Sequence, residues 1–214
     1  MAEDWISSTR WSDSPSTASA RKTDVARPAP SLLSATKIRR SPALFSSGGV
    51  VLTEEGFAEF QKKYPDCPSP EPLDRLSLPM SRENAERILS GEKTVEFREF
   101  KEHYGRMVLD KNVMKWREDN DAVLSDEDLA YADPVRFVRT IHFYDYNKTF
   151  TLDVTVKETG IICINDEDVK MLQERFGCHE QDGNLAILNK KSVPDEERPL
   201  FLYFAIDHVV ESNM

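Results

Sequence analysis

The sequence has few of the residues that build disulfides or metal sites. Its 214 residues include three cysteines, which are widely spaced and form no C-x-x-C pair. An odd number of this kind favours a reducing compartment over a disulfide framework. The four histidines are scattered, and none has a second histidine four residues away. We therefore predict no metal site and no cofactor, because zinc would need ligands assembled from distant parts of the chain.

Long hydrophobic segments are missing as well. No apolar run approaches the roughly 18 residues of a transmembrane helix, and no apolar segment of the signal-peptide type follows the first residues. We therefore expect a protein that has no membrane contact and that resides in the cytoplasm or the nucleus.

The sequence also lacks the broad cationic surface that non-specific nucleic-acid binding requires. The net charge is −10, and residues 1–50 hold seven Lys or Arg against four Asp or Glu, so residues 51–214 carry −13. Residues 118–134 contain seven acidic side chains and no basic one, which predicts a solvated insertion. There is neither a glycine-rich phosphate loop nor a serine nucleophile elbow. Any contact with a polyanion must therefore be local.

Residues 1–47 are predicted to be a disordered head, since fifteen of the residues from Ser7 to Ser47 are Ser or Thr. Such a segment buries too little apolar surface to offset its ordering entropy. Within it, Ser41 follows two arginines and precedes a proline, which makes it a candidate regulatory phosphorylation site; an unmodified tail is the alternative. Residues 48–74 are predicted to form a helix capped by Thr53, followed by a proline-rich arm.

The clearest local signals lie in the sequence LSLPMSRENAERILSGEKTVEFRE, residues 76–99. A short apolar strand is followed by a helix that Ser81 caps and that Gly91 ends. The apolar period then changes from helical to two. The residues expected to form the buried face of this helix are Ala85, Ile88 and Leu89.

From Lys93 onward, alternation predicts a strand with Val95 and Phe97 on one side and Thr94, Glu96 and Arg98 on the other. A lysine placed just after the helix-ending glycine can point into a cleft. An arginine beside a glutamate can bind a phosphate or carboxylate with two N–H groups. The alternative is an ion pair of little energetic weight on the surface.

Further along, residues 135–146 and 148–161 are predicted to form a β-hairpin. A helix that Asn165 caps and Gly177 ends follows, and residues 199–210 form a long apolar strand. This order predicts a small α+β domain with a mainly antiparallel, barrel-like sheet and packed helices.

The segment 76–99 resembles the signature of the ASCH domains, which belong to the PUA-like superfamily. In that signature a short strand and a helix ending in glycine lead into Lys-Thr-x-Glu-x-Arg on the next strand, and this chain reads GEKTVEFR. The resemblance covers about residues 74–210. It implies an ASCH/PUA-like domain over residues 75–212, built as a small β-barrel with packed helices and a cleft beside the GEKTVEFR strand.

The resemblance further implies binding of RNA or of a modified nucleotide or nucleobase in that cleft. The ligand-binding residues would be Gly91, Lys93, Thr94, Glu96 and Arg98.

Two other functions stay open. Some small relatives resemble amidohydrolases of acylated cytidine-type nucleosides, in which the motif lysine, a threonine three positions on and a later glutamate are catalytic. Here Lys93 and Glu96 would hold the first two positions, and Glu174 or Glu180 would supply the later glutamate by position. The third possibility is a protein-interaction domain without a ligand.

Overall fold

The computed structural model describes residues 53–179 and 198–214. The predicted head over residues 1–47, with Ser41, and the candidate Glu180 lie outside these ranges. The described residues form six helices and five strands. The helices are α1 (Glu54–Lys63), α2 (Arg82–Leu89), α3 (Glu102–Val108), α4 (Lys111–Asn120), α5 (Asp126–Tyr131) and α6 (Asp166–Phe176). The strands are β1 (Leu73–Pro79), β2 (Val95–Glu99), β3 (Val138–Tyr144), β4 (Thr151–Ile162) and β5 (Phe201–Ser212).

The strands form one strongly curled, mixed sheet in the order β1-β3-β4-β5-β2. Three neighbouring pairs are antiparallel, and β1 pairs with β3 in parallel. The predicted α+β class is confirmed, but the sheet is a half-barrel whose two edges are β1 and β2. The parallel pair arises because the chain leaves β1, forms β2 at the far edge and returns through three helices to β3, and only such a long crossover permits parallel pairing.

The concave side of the half-barrel holds the main core. Large apolar side chains from β1, β3, β4 and β5 fill it, among them Leu78, Phe143, Leu152 and Phe204. Helix α2 closes this side with Ala85 and Ile88, as predicted. The prediction for Leu89 was wrong: it is the last residue of α2 and is 41% exposed, because the chain turns away from the core there.

The convex side is covered by α6 along β2 and β5. Leu172 of this helix is fully buried against Val95 and Phe201, and Phe97 and Phe176 pack at the margin. The predicted caps are confirmed. The side chain of Asn165 accepts a hydrogen bond from the Asp168 N–H, and Gly177 ends the helix with a φ of 65°.

Helices α1, α4 and α5 form a smaller lobe around Phe60 and Trp116. The acidic segment 118–134 divides into two parts: residues 118–127 are mostly exposed, as the prediction of a solvated insertion requires, whereas residues 128–134 are mostly buried in this lobe and contradict it. Ser125 and Asp128 form a reciprocal capping box at the start of α5, and the Asp128 carboxylate also binds Lys63 Nζ at 2.9 Å. These partners allow Asp128 to be buried despite its charge. The apolar side chains that anchor the segment are Leu129, Ala130 and Ala132.

None of the helices in the described ranges has the length and hydropathy that a bilayer crossing would need. The same ranges contain no group of three or more His, Cys, Asp or Glu side chains placed to hold a metal ion.

Asp133 follows α5 at the base of this lobe. Burial raises the pKa of its carboxyl group to about 6, although the Val135 N–H and the nearby Arg117 act in the opposite direction. The folded chain therefore keeps a proton on Asp133 at pH values where the unfolded chain has lost it. This group lowers stability as the pH rises from the unfolded pKa of about 4 through the folded pKa.

We therefore expect Asp133→Asn to gain stability relative to the native chain as the pH rises. Asparagine mimics the protonated acid and keeps an acceptor for the Val135 N–H. The difference in the free energy of unfolding between variant and native protein should be constant below about pH 3 and should grow by about 3 kcal/mol up to pH 7. Urea unfolding at several pH values measures it, and a difference that does not change with pH would contradict the assignment.

Candidate functional site

The turn between α2 and β2 positions the predicted site. Ser81 caps α2, since its hydroxyl accepts a hydrogen bond from the Asn84 N–H at 3.3 Å. Gly91 then adopts a φ of 76°, a left-handed conformation that favours glycine. The Lys93 N–H donates to the Arg87 carbonyl oxygen at 2.9 Å, which ties the start of the strand to the last turn of the helix. Gly91 itself is exposed at the tip of this turn.

Strand β2 is an edge strand that pairs only with β5 in the sheet. Val95 and Phe97 pack toward α6 on the convex side. Because successive side chains of a strand point to opposite faces, Thr94, Glu96 and Arg98 point to the other side. The local alternation thus directs three polar side chains of an edge strand into the interior of the half-barrel.

Lys93, Glu96 and Arg98 form a buried ionic group that we call the Glu96 cluster. One carboxylate oxygen of Glu96 lies 3.0 Å from Lys93 Nζ, and the other lies 2.8 Å from Arg98 Nη2. The side chains of Lys93 and Glu96 are only 4% and 6% exposed, whereas that of Arg98 is 20% exposed. Two cations therefore share one carboxylate, and the arginine is the member nearest to solvent.

The Glu96 cluster also connects three elements of the fold. Arg98 Nη2 donates to the carbonyl oxygen of Pro79, the last residue of β1, at 2.6 Å. Lys93 Nζ donates to the Asn84 side-chain oxygen of α2 at 3.5 Å. Since β1 and β2 are the two edges of the half-barrel, the arginine joins these edges across its open side.

Three buried side-chain atoms of this strand lack a hydrogen-bond partner. They are Thr94 Oγ1, Glu96 Oε2 and Arg98 Nε. Within residues 53–179 and 198–214, every other buried side-chain N or O atom has a hydrogen-bond partner. Glu96 Oε2 is close to Lys93 Nζ, but this contact is electrostatic and lacks hydrogen-bond geometry. Buried polar groups are nearly always paired, so three partnerless atoms on one strand call for an explanation.

The structure places Thr94, Glu96 and Arg98 together, as the sequence predicts, with Lys93 beside them. It does not bring Glu174 to the cluster. That side chain is 66% exposed and pairs with Lys170 on α6, which packs against the opposite face of β2.

Sequence reasoning missed Asn84 and Pro79. Asn84 follows the cap of α2 by three residues, a spacing from which its position could have been inferred. Pro79 contributes its backbone carbonyl group, and since every residue has one, the sequence gives no sign of this contact.

Comparison of the chain with protein families, curated proteins and solved structures found no match. The assignment to the ASCH domains therefore stays a prediction.

We expect Glu96→Gln to destabilise the fold far more than the same change at Glu99. Without its carboxylate, the cluster leaves Lys93 and Arg98 as uncompensated cations in the interior, which costs about 3 kcal/mol or more. Glu99 lies on the same strand and pairs with Lys101 at 2.9 Å, but both side chains are more than half exposed. Its substitution should cost less than about 1 kcal/mol.

Urea unfolding of the two variants and the native chain measures this difference. Equal losses in both variants would show that the Glu96 cluster contributes no more than a surface ion pair.

Proposed function

We propose that this chain is an ASCH-like, PUA-like protein that binds RNA or a modified nucleotide through its nucleobase at the Glu96 cluster. The observation that carries the proposal is the set of buried atoms without a hydrogen-bond partner: Thr94 Oγ1, Arg98 Nε and Glu96 Oε2, the last of which is in ionic contact with Lys93. The resemblance of residues 76–99 to the ASCH signature supports the same site. A cytoplasmic or nuclear location agrees with such a ligand.

The chemistry of these atoms favours a base over a phosphate. Arg98 Nε is a donor, a glutamate oxygen is an acceptor, and the Thr94 hydroxyl group can act as either. A phosphate offers oxygen atoms alone and would leave the glutamate oxygen unsatisfied. The edge of a nucleobase presents N–H donors beside carbonyl acceptors, as in guanine or cytosine. A base of that pattern supplies a partner for each of the three atoms.

The ligand reaches the cluster on the side of Arg98, the member with the largest exposed fraction. Its guanidinium group holds the carbonyl oxygen of Pro79, so a base that inserts between β1 and β2 replaces or rearranges this contact. Residues 51–214 carry a net charge of −13, so phosphate attraction contributes little. The affinity therefore depends on base recognition and only weakly on salt.

A second candidate is hydrolysis of an acylated cytidine-type nucleoside. Lys93 Nζ lies 3.0 Å from Glu96 Oε2, with both side chains buried, and a lysine–carboxylate pair of this kind can transfer protons to and from a bound substrate. Turnover of acetylated cytidine that disappears in Lys93→Ala, in a folded variant, identifies this function. Absence of both binding and turnover leaves the protein-interaction domain.

We expect Thr94→Val to weaken ligand binding without loss of stability. Valine keeps the shape of threonine, and the hydroxyl group that it removes has no partner in the protein, so the free energy of unfolding should stay equal or rise by about 1 kcal/mol. If that hydroxyl group bonds the base, its removal should weaken binding by about fivefold or more. Calorimetric titration with guanosine, cytidine, acetylated cytidine and short RNAs gives the affinities.

Glu99→Gln is the matched control and should bind like the native chain, since Glu99 is exposed on the same strand. The affinity should fall by less than about fourfold between about 50 and 200 mM salt, as expected for a single phosphate contact. A native-like affinity in Thr94→Val would refute the role of the atoms without hydrogen-bond partners. A loss of affinity of about a hundredfold or more over this salt range is expected for several phosphate contacts and would indicate binding to the nucleic-acid backbone instead.

A further inference from the structure

A cleft lies in the smaller lobe, on elements that the Glu96 cluster does not use. Its volume is about 250 Å³, and α1, the proline-rich arm and the residues at the end of α5 form its walls. We call it the aromatic cleft and define it by Phe57, Phe60, Tyr64, Tyr131 and Asp133, with Pro65, Pro68 and Pro70 on the side of the arm.

Aromatic rings form one continuous wall of this cleft. The ring centroid of Tyr131 lies 5.9 Å from that of Phe60 and 6.3 Å from that of Phe57, and Tyr64 lies 5.3 Å from Phe60. Phe57 is 43% exposed and leaves its ring at the surface. The faces of such rings are electron-rich and attract cations within about 6 Å of the centroid.

The carboxyl group in the cleft also favours a positively charged ligand. Asp133 contributes its carboxyl group, which accepts a hydrogen bond from the Val135 N–H at 2.9 Å. Two cations of the chain lie nearby. Arg117 donates to the Ala132 carbonyl oxygen at 3.4 Å, and Lys63 Nζ, which pairs with Asp128, lies 5.0 Å from the ring centroid of Tyr64. Residues 118–134, which enclose α5, have seven acidic side chains and no basic one. A cation in the cleft would thus meet aromatic rings and the carboxylate of Asp133.

We propose that the aromatic cleft binds a methylated ammonium group. A primary ammonium or guanidinium group brings several N–H donors that each need an acceptor, whereas much of this lining consists of aromatic rings and prolines, with Gln61, Ser69 and Asp133 as its polar members. A quaternary methylammonium group has a positive charge and an apolar surface without N–H donors, which is the chemistry that aromatic cages recognise. The group can come from a free choline-type molecule or from a trimethylated lysine of a peptide.

Gly56 explains how the ring of Tyr131 comes to lie in this wall. A Cβ atom at this position would lie 1.9 Å from Tyr131 Oη, so only glycine lets the ring approach α1 this closely. Alanine favours a helix more than glycine does, so Gly56→Ala should preserve α1 while displacing the ring. This variant changes the cleft without removing an aromatic side chain.

The test is a calorimetric titration of the full chain at pH 7.5 with four probes. They are choline, a trimethyllysine peptide, the same peptide with unmodified lysine, and 3,3-dimethyl-1-butanol, which is the neutral isostere of choline. We expect choline or the trimethyllysine peptide to bind saturably, and both the neutral isostere and the unmodified peptide to bind at least about tenfold more weakly. A preference between the two methylated probes identifies the source of the group.

Three variants locate the binding. Tyr131→Ala, Asp133→Asn and Gly56→Ala should each weaken it by about tenfold or more, whereas Tyr146→Ala, which removes a tyrosine that is 84% exposed and does not line the cleft, should leave it unchanged. Circular dichroism checks the fold of each variant, and Gly56→Ala and Asp133→Asn keep the test valid if Tyr131→Ala does not fold. Equal binding of the neutral isostere or of the unmodified peptide, native-like binding by all folded cleft variants, or no saturable binding of either methylated probe would overturn the proposal.

Discussion

The contact on which this fold depends is the buried carboxylate of Glu96 between two cations. Its oxygens lie 3.0 Å from Lys93 Nζ and 2.8 Å from Arg98 Nη2, and the arginine continues to the Pro79 carbonyl oxygen at the opposite edge of the sheet. Strand β2 pairs with β5 on one side only, and the hydrogen bond from Arg98 to Pro79 connects it to β1, where a closed barrel would have a backbone ladder. The cluster can be buried because each charge has a partner of opposite sign. Removal of one member would leave a buried charge without compensation, which destabilises the fold.

The same strand separates two apolar environments. Val95 and Phe97 contribute to the layer under α6, while Glu96 and Arg98 turn toward α2 and β1. The buried charges of this edge strand are weak evidence for stability, since apolar side chains of similar volume would often pack there at equal or lower cost. The partnerless atoms Thr94 Oγ1 and Arg98 Nε add to that cost. Retention of polar groups that contribute little to stability is the physical basis for the proposal that this site binds a ligand.

Local signals predicted much of this fold. The structure confirms the predicted helix caps at Ser81 and Asn165 and the predicted helix-ending glycines, Gly91 and Gly177. Each of these features depends on a hydrogen bond or a backbone conformation within a few residues. The interpretation of residues 118–134 as solvated was wrong for residues 128–134, because their burial depends on contacts with distant parts of the chain. Its charge pattern does not reveal that Lys63, far away in sequence, pairs with Asp128 or that Leu129 and Ala130 have a lobe to pack against.

The sequence by itself determined the nature of the candidate site: a glycine-ended helix, a change of period, and Thr94, Glu96 and Arg98 on one strand face. Tertiary structure alone decided that this face points inward and that the Pro79 carbonyl oxygen accepts a hydrogen bond from Arg98. It also left three buried polar atoms without hydrogen-bond partners. It also decided the parallel pairing of β1 with β3 and the half-barrel that results. The reason is that periodicity records which side chains share a face, whereas strand order and burial depend on contacts between residues far apart in the chain.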